Sequence, residues 1–166
     1  MIETVFPMPD PTDLILAFLS RIGLQVAHAA LGPDTLLPGV AIRRGVLTVD
    51  ASRLLYPGDL LHEAGHLAVL TSAERAACDG DAGPDGGAEM AAIAWSYAAA
   101  LHLGLSPEVV FHPAGYGGGS ASLLENFTHG RYLGVPLLQW FGLTTEPSSM
   151  HTSGLRYPHM TAWLRL

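Results

Sequence analysis

His62, Glu63 and His66 stand in the pattern His-Glu-x-x-His, inside the apolar run Leu60-Leu61-His62-Glu63-Ala64-Gly65-His66-Leu67-Ala68-Val69. Residues four apart on an α-helix lie one above the other, so both imidazoles can point at a single metal ion. Glu63 sits about 100° further around the same helix. From there its carboxylate can take a proton from a water at the metal without ligating the ion. Zinc suits such a group because it accepts imidazole nitrogen and carboxylate oxygen and, in catalytic centres, keeps one tetrahedral position open. Leu60, Leu61, Ala64, Leu67 and Ala68 form the apolar flank that buries the helix, and the His-Glu-His group is a narrow polar stripe on it. A purely structural helix gains nothing from three ionisable groups in one turn, since unpaired buried charge is costly.

A His pair needs a third donor. The next strong helix signal runs from Glu89 to Leu101 and is built from good helix formers. Glu89 shares a face with Ala92, Ile93, Ser96 and Ala100, small or apolar residues that let another helix come close. Glu89 is therefore the expected third ligand, although a Glu at that place also complements the positive end of the helix dipole. The expectation is one zinc ion per chain, held by His62, His66 and Glu89.

Around these residues the chain predicts an α+β fold. Asp10-Pro11-Thr12-Asp13 opens a helix with a cap, a proline in its first turn and a favourable acidic residue, and Gly23 ends it. Leu24 to His28 alternates as a short strand, with His28 a strand-face residue. Residues 39–49 read as two strands joined by a tight turn at Arg43-Arg44-Gly45, which gives a small, mostly antiparallel sheet directly before the motif helix. Pro57-Gly58-Asp59 starts that helix, with Asp59 as an N-terminal cap or, alternatively, as a carboxylate orienting His62. Residues 71–87 are polar and glycine-rich and read as a solvated loop, whose aspartates lack the spacing of a calcium-binding EF-hand.

Ser106-Pro107-Glu108 begins a short capped helix. The glycine-rich stretch from His112 to Ser120 lacks the Gly-Lys-Ser/Thr of a nucleotide-binding loop and is expected to be the mobile wall of a substrate cleft. Ser122 and Glu125 are spaced as a capping box. Residues 135–143 suggest an apolar helix with Trp140 and Phe141 in the core, and residues 158–166 a last short helix anchored by Trp163.

At 166 residues, 49% hydrophobic and 14% charged, the chain has the size and composition of one domain spanning residues 1–166. A net charge of -7 with eight Lys and Arg argues against a nucleic-acid surface and against binding to anionic membranes. The start Met1-Ile2-Glu3-Thr4-Val5-Phe6-Pro7 lacks the features of a signal peptide, and no apolar run is long enough to span a bilayer. The single cysteine, Cys78, cannot form an internal disulfide, so the expected compartment is the cytoplasm.

With His62-Glu63-x-x-His66 followed by Glu89, the chain resembles the gluzincin metallopeptidases, and among them the short ImmA/IrrE-type peptidases. The resemblance covers about residues 24–105, and Ala92 and Trp95 stand at offsets where those peptidases carry Ala and an aromatic. It implies a zincin-like fold and hydrolysis of a peptide or protein substrate. Zinc then polarises the scissile carbonyl, Glu63 activates water and passes a proton to the leaving amine, and an edge strand holds the substrate backbone. A tetrahedral oxyanion needs a further donor, for which His112, Tyr116, His129 and Arg131 are candidates. The alternative is a non-enzymatic zincin-like module that binds a protein partner, its metal closed off by a fourth donor such as His102 or His112.

Overall fold

Asp10 caps the first helix, α1 (Pro11–Arg21), its carboxylate accepting the Thr12 N–H at 2.7 Å. The computed structural model describes residues 9–80, 85–150 and 154–166; residues 1–7, on which the expectation about a signal peptide rests, and 81–84, the tip of the acidic loop, lie outside them. Three short strands follow α1: β1 (Val26–His28), β2 (Val40–Arg43) and β3 (Val46–Val49). Arg44 and Gly45 both take positive φ, 48° and 75°, the backbone of a two-residue type I′ turn whose twist suits a tight hairpin.

The sheet order is β1-β3-β2, with β2 and β3 antiparallel but β1 and β3 parallel. The sheet is thus mixed, not mostly antiparallel. Alternation of side chains sets which face of a strand is buried but not which strand lies beside it. Residues 29–39 carry the chain across one strand position, and the hairpin returns β3 into that gap. Asp50, at the end of β3, pins the crossing by accepting from Leu31 N at 2.9 Å and from the Ser52 hydroxyl at 2.6 Å.

The motif helix, α2 (Gly58–Ala68), has no side-chain cap; Asp59 is buried and turned elsewhere. Beyond it, where the sequence suggested loop, lies α3 (Ser72–Ala77), started by a capping box in which Thr71 and Glu74 satisfy each other's backbone N–H. The Thr-x-x-Glu spacing is a signal the composition of this polar stretch obscured. Arg75 of α3 donates to the carbonyls of Leu67, Leu70 and Arg165, so one guanidinium closes the end of α2 and ties down the C-terminal segment.

Asp85 caps α4 (Gly86–His102), which is apolar on every face: each residue from Ala91 to Ala100 is buried. A helix of that kind belongs in the middle of a core. One continuous apolar cluster surrounds it, reaching from Ile15 of α1 to Met160 near the end of the chain. A 3₁₀ turn at Pro107–Val109 is capped by Ser106 as expected, and a second spans Tyr116–Gly118. Two short helices complete the fold, α5 (Ser120–Thr128) and α6 (Val135–Trp140).

Three expectations for this C-terminal half fail. The Ser122–Glu125 capping box does not form, because α5 already begins at Ser120, and Glu125 pairs instead with Arg131 at 3.0 Å. Trp140 is 83% exposed: α6 turns Val135 and Leu138 inward, and Trp140 lies around the helix from both. Phe141 is half-buried under the Arg165 guanidinium, 4.2 Å from its ring centre. Residues 158–166 form no helix. Their backbone groups bond across the chain, Thr161 N to Leu143 O at 2.9 Å, and Met160 bridges Thr144. Trp163 is an anchor nonetheless, packed edge-on against Phe18 and Trp95, with its carbonyl accepting the Trp95 indole N–H at 2.9 Å. Among the described residues no helix is long and apolar enough to cross a membrane.

Candidate metal centre

Gly65 lets the two site-bearing helices meet. It sits between the motif histidines on α2 and faces the backbone of α4, where a Cβ would lie 2.7 Å from the Ala92 carbonyl oxygen. Without that Cβ the helices close to backbone contact, and Glu89 of α4 comes under the His pair. His62 Nε2 and His66 Nε2 are 3.2 Å apart. The Glu89 carboxylate spans both, Oε1 lying 3.5 Å from His62 Nε2 and Oε2 3.0 Å from His66 Nε2. The three residues predicted to ligate therefore form one group with spacing that fits a metal ion. The small residues beside Glu89 do what their pattern suggests, since Ala92 is the point of contact.

Among the described residues no fourth side chain joins this group. His102 is exposed and packs between Phe18 and Trp163. His112 is buried and committed to Asp59, its Nε2 lying 2.9 Å from Asp59 Oδ1. Asp59 thus neither caps α2 nor touches His62. Burial pushes its carboxyl up from the usual carboxylate range, against the opposing hydrogen bond from His112. Tyr56 stacks on the His112 ring, the planes 7° apart and the centres 3.9 Å apart.

The glycine-rich stretch is pinned to α2 rather than loose. His112 meets Asp59 at one point, and Tyr116 meets His62 one helical turn further on, its hydroxyl 3.3 Å from His62 Nδ1. The Ser120 hydroxyl donates to the His112 and Gly115 carbonyls and holds the ends of the bend together. Tyr116 takes a positive φ of 55°, a backbone state uncommon for residues other than glycine. Sequence reasoning missed this arrangement, which depends on contacts across more than fifty residues. Tyr116 reaches the back of an imidazole and not the open side of the metal group. Its phenol is held protonated, chiefly by burial and then by the Glu89 charge. His129 and Arg131 use their polar atoms on Glu125 and Asn126 of α5 and touch none of the site residues through them.

Burial, and then the neighbouring His66, pull the His62 pKa from 6.5 down to about 4, with the Glu89 charge opposing. The Glu89 carboxyl is held below its usual value, first by its hydrogen bond with His66. At neutral pH His62 is therefore the uncharged imidazole that a metal requires. Between the two His62 values the unfolded chain binds a proton that the folded chain resists, so stability falls as pH falls through that window. Metal-free protein is expected to lose on the order of 1–3 kcal/mol of unfolding free energy from His62 between about pH 7 and about pH 4.5. Urea titrations at several pH values read this loss. The drop should shrink in His62→Gln, and an identical drop in that variant would assign it to other groups.

Glu63 lies half-buried on α2 and lines a cleft of about 410 Å³ with Leu36, Leu37, Val40, Ile42 and Asp79. The cleft follows β2, an edge strand. Asp50 N donates to Gly39 O at 2.9 Å, so by alternation Ala41 and Arg43 turn their backbone groups to β3 while Val40 and Ile42 turn theirs outward. The Ile42 carbonyl takes the Gly80 N–H at 2.8 Å. That leaves the Ile42 N–H and the Val40 carbonyl along the cleft with no backbone partner among the described residues. The chain matches no protein-family model, no curated protein and no solved structure.

Proposed function

We propose that this protein is a zinc-dependent peptidase, or a related amide hydrolase, in which His62, His66 and Glu89 hold one zinc ion and Glu63 is the general base. The observation that carries this reading is the cluster of donor atoms, His66 Nε2 lying 3.2 Å from His62 Nε2 and 3.0 Å from Glu89 Oε2, and His62 Nε2 3.5 Å from Glu89 Oε1, with the Glu63 carboxylate on the same helix and not part of it. A tetrahedral ion with bonds of about 2.0–2.1 Å keeps its ligand atoms about 3.3–3.4 Å apart, so the donor set fits zinc in spacing as well as in chemistry. Three protein donors leave the fourth position to water or substrate, as catalytic centres do. The small sheet followed by two helices in backbone contact is in keeping with a zincin-like arrangement.

Zinc in such a site polarises a carbonyl oxygen and makes water more acidic. Glu63 takes the proton from the attacking water and delivers it to the leaving amine, which it can do because it is not a ligand. The open backbone groups of Val40 and Ile42 offer an extended substrate an added-strand contact, and Leu36 and Leu37 offer apolar cover. A quenched-fluorescence peptide library tests the reading. Hydrolysis at neutral pH should vanish on chelation and return with zinc, and wild type should carry about one zinc per chain. The His62→Ala, His66→Ala double variant should carry none. Zinc retained by that variant would place the metal elsewhere, and zinc-loaded protein that cuts no peptide would leave a metal-held binding module.

A further inference from the structure

We propose that the β2 edge takes a single residue of an extended peptide in the parallel sense, with Leu37 and Gly80 as the stops that exclude the antiparallel one. The proposal rests on the peptidase reading for the fate of that peptide, though not for its binding. A free edge strand presents a row of N–H and C=O groups and accepts a partner in either direction. The edge of β2 is not free along its length. The residues whose main-chain groups turn away from β3 are Val40 and Ile42. Each has given one of its two groups to the chain itself: the Val40 N–H donates to Leu37 O at 3.5 Å, and the Ile42 carbonyl accepts from Gly80 N at 2.8 Å. What remains among the described residues is the Val40 carbonyl and the Ile42 N–H, one on each side of Ala41.

That pair of groups selects a direction. In a parallel ladder the residue opposite position i donates its N–H to the carbonyl of i−1 and accepts the N–H of i+1, while its own neighbours turn their groups away. Leu47, aligned with Val26, donates to the Gln25 carbonyl in this way. A peptide residue opposite Ala41 repeats the pattern, satisfies both open groups and aims no main-chain group at either stop. An antiparallel peptide reaches the same two groups through the residues opposite Val40 and Ile42, and each of these brings a second polar group against the edge. One is a C=O facing the Val40 N–H that Leu37 occupies, the other an N–H facing the Ile42 carbonyl that Gly80 occupies. Leaving a desolvated polar group unmade costs more than a typical hydrogen bond contributes. The Gly80 stop does not yield easily, because the residues before it are tied to the hairpin turn: Gly45 N donates to Cys78 O at 2.7 Å and Arg44 N to Asp79 Oδ1 at 3.2 Å.

The test is read on ¹⁵N-labelled wild type without zinc, so it does not depend on hydrolysis. The probes are acetylated, amidated heptapeptides of alternating Val and Thr, with Val, Leu, Lys or Asp at the centre. At saturating peptide the Ile42 amide should exchange at least about tenfold more slowly, since it gains a hydrogen bond. The Gly80 amide should keep its protection. A nitroxide on the peptide N-terminus should broaden the Gly39 and Val40 amides more than those of Arg44 and Gly45, and a nitroxide on the C-terminus should do the reverse. The opposite broadening pattern, a Gly80 amide that loses protection as peptide binds, or an Ile42 amide unmoved by all four peptides at millimolar concentration would each overturn the proposal. The peptidase reading stands or falls separately. Peptide bound in this register but never cut by zinc-loaded protein removes that reading and supports this one, whereas peptide cut while the Ile42 amide stays unchanged removes this one alone.

Discussion

Glu63→Gln is expected to bind zinc as tightly as wild type and to hydrolyse peptide roughly 10²–10⁴-fold more slowly, the range general acid–base groups contribute. The amide has nearly the shape of the carboxylate but cannot take a proton. Glu63 lies outside the donor group, so no ligand is lost. Glu89→Gln makes the contrast. Its carboxylate spans both histidines, and a neutral amide is a poorer ligand, so zinc itself should weaken and activity fall with occupancy. Added zinc should therefore recover part of the activity of Glu89→Gln and none of that of Glu63→Gln. Wild-type turnover by purified Glu63→Gln would end the general-base assignment.

Gly65→Val should damage the fold and the metal group together. A Cβ at this position stands 2.7 Å from a backbone oxygen of α4, which cannot swing aside as a side chain can. The helices must separate, at a cost of about 2–4 kcal/mol, somewhat above the usual range for overpacking because branching adds methyl groups to the clash. The helix-propensity gain of Val over Gly, at most about 0.5 kcal/mol, does not offset it. Separation carries Glu89 away from the histidines, so zinc affinity should drop at least about tenfold, a loss of roughly 1.4 kcal/mol. Gly86→Ala is the control, since nothing lies within 4 Å of a Cβ there. It should change unfolding free energy by less than about 1 kcal/mol. Denaturant unfolding and chelator competition read both effects, and a Gly65→Val protein as stable and as zinc-tight as wild type would show that α2 and α4 are not locked at this distance.

The parts of this molecule legible in its residues are those settled within a few positions along the chain. The Asp10 cap, the Arg44-Gly45 turn and the stripe of His62, Glu63 and His66 each depend on neighbours no more than four residues away, where backbone geometry dictates who meets whom. Glu89 was within reach because the small residues on its face announce a close helix, though not which helix. Periodicity says that a surface is apolar without saying what covers it. For that reason the parallel pairing of β1, the outward Trp140 and the unwound tail with its Trp163 anchor had to come from the packed chain. The same limit hides how the glycine-rich stretch from His112 to Ser120 meets α2. Asp59 and His112 are 53 residues apart and His62 and Tyr116 are 54, and each pair forms only because the whole core brings α2 beneath that bend. Local patterning named the group of His62, His66 and Glu89; the long-range contacts around His62 exist only once apolar burial has closed the fold around α4.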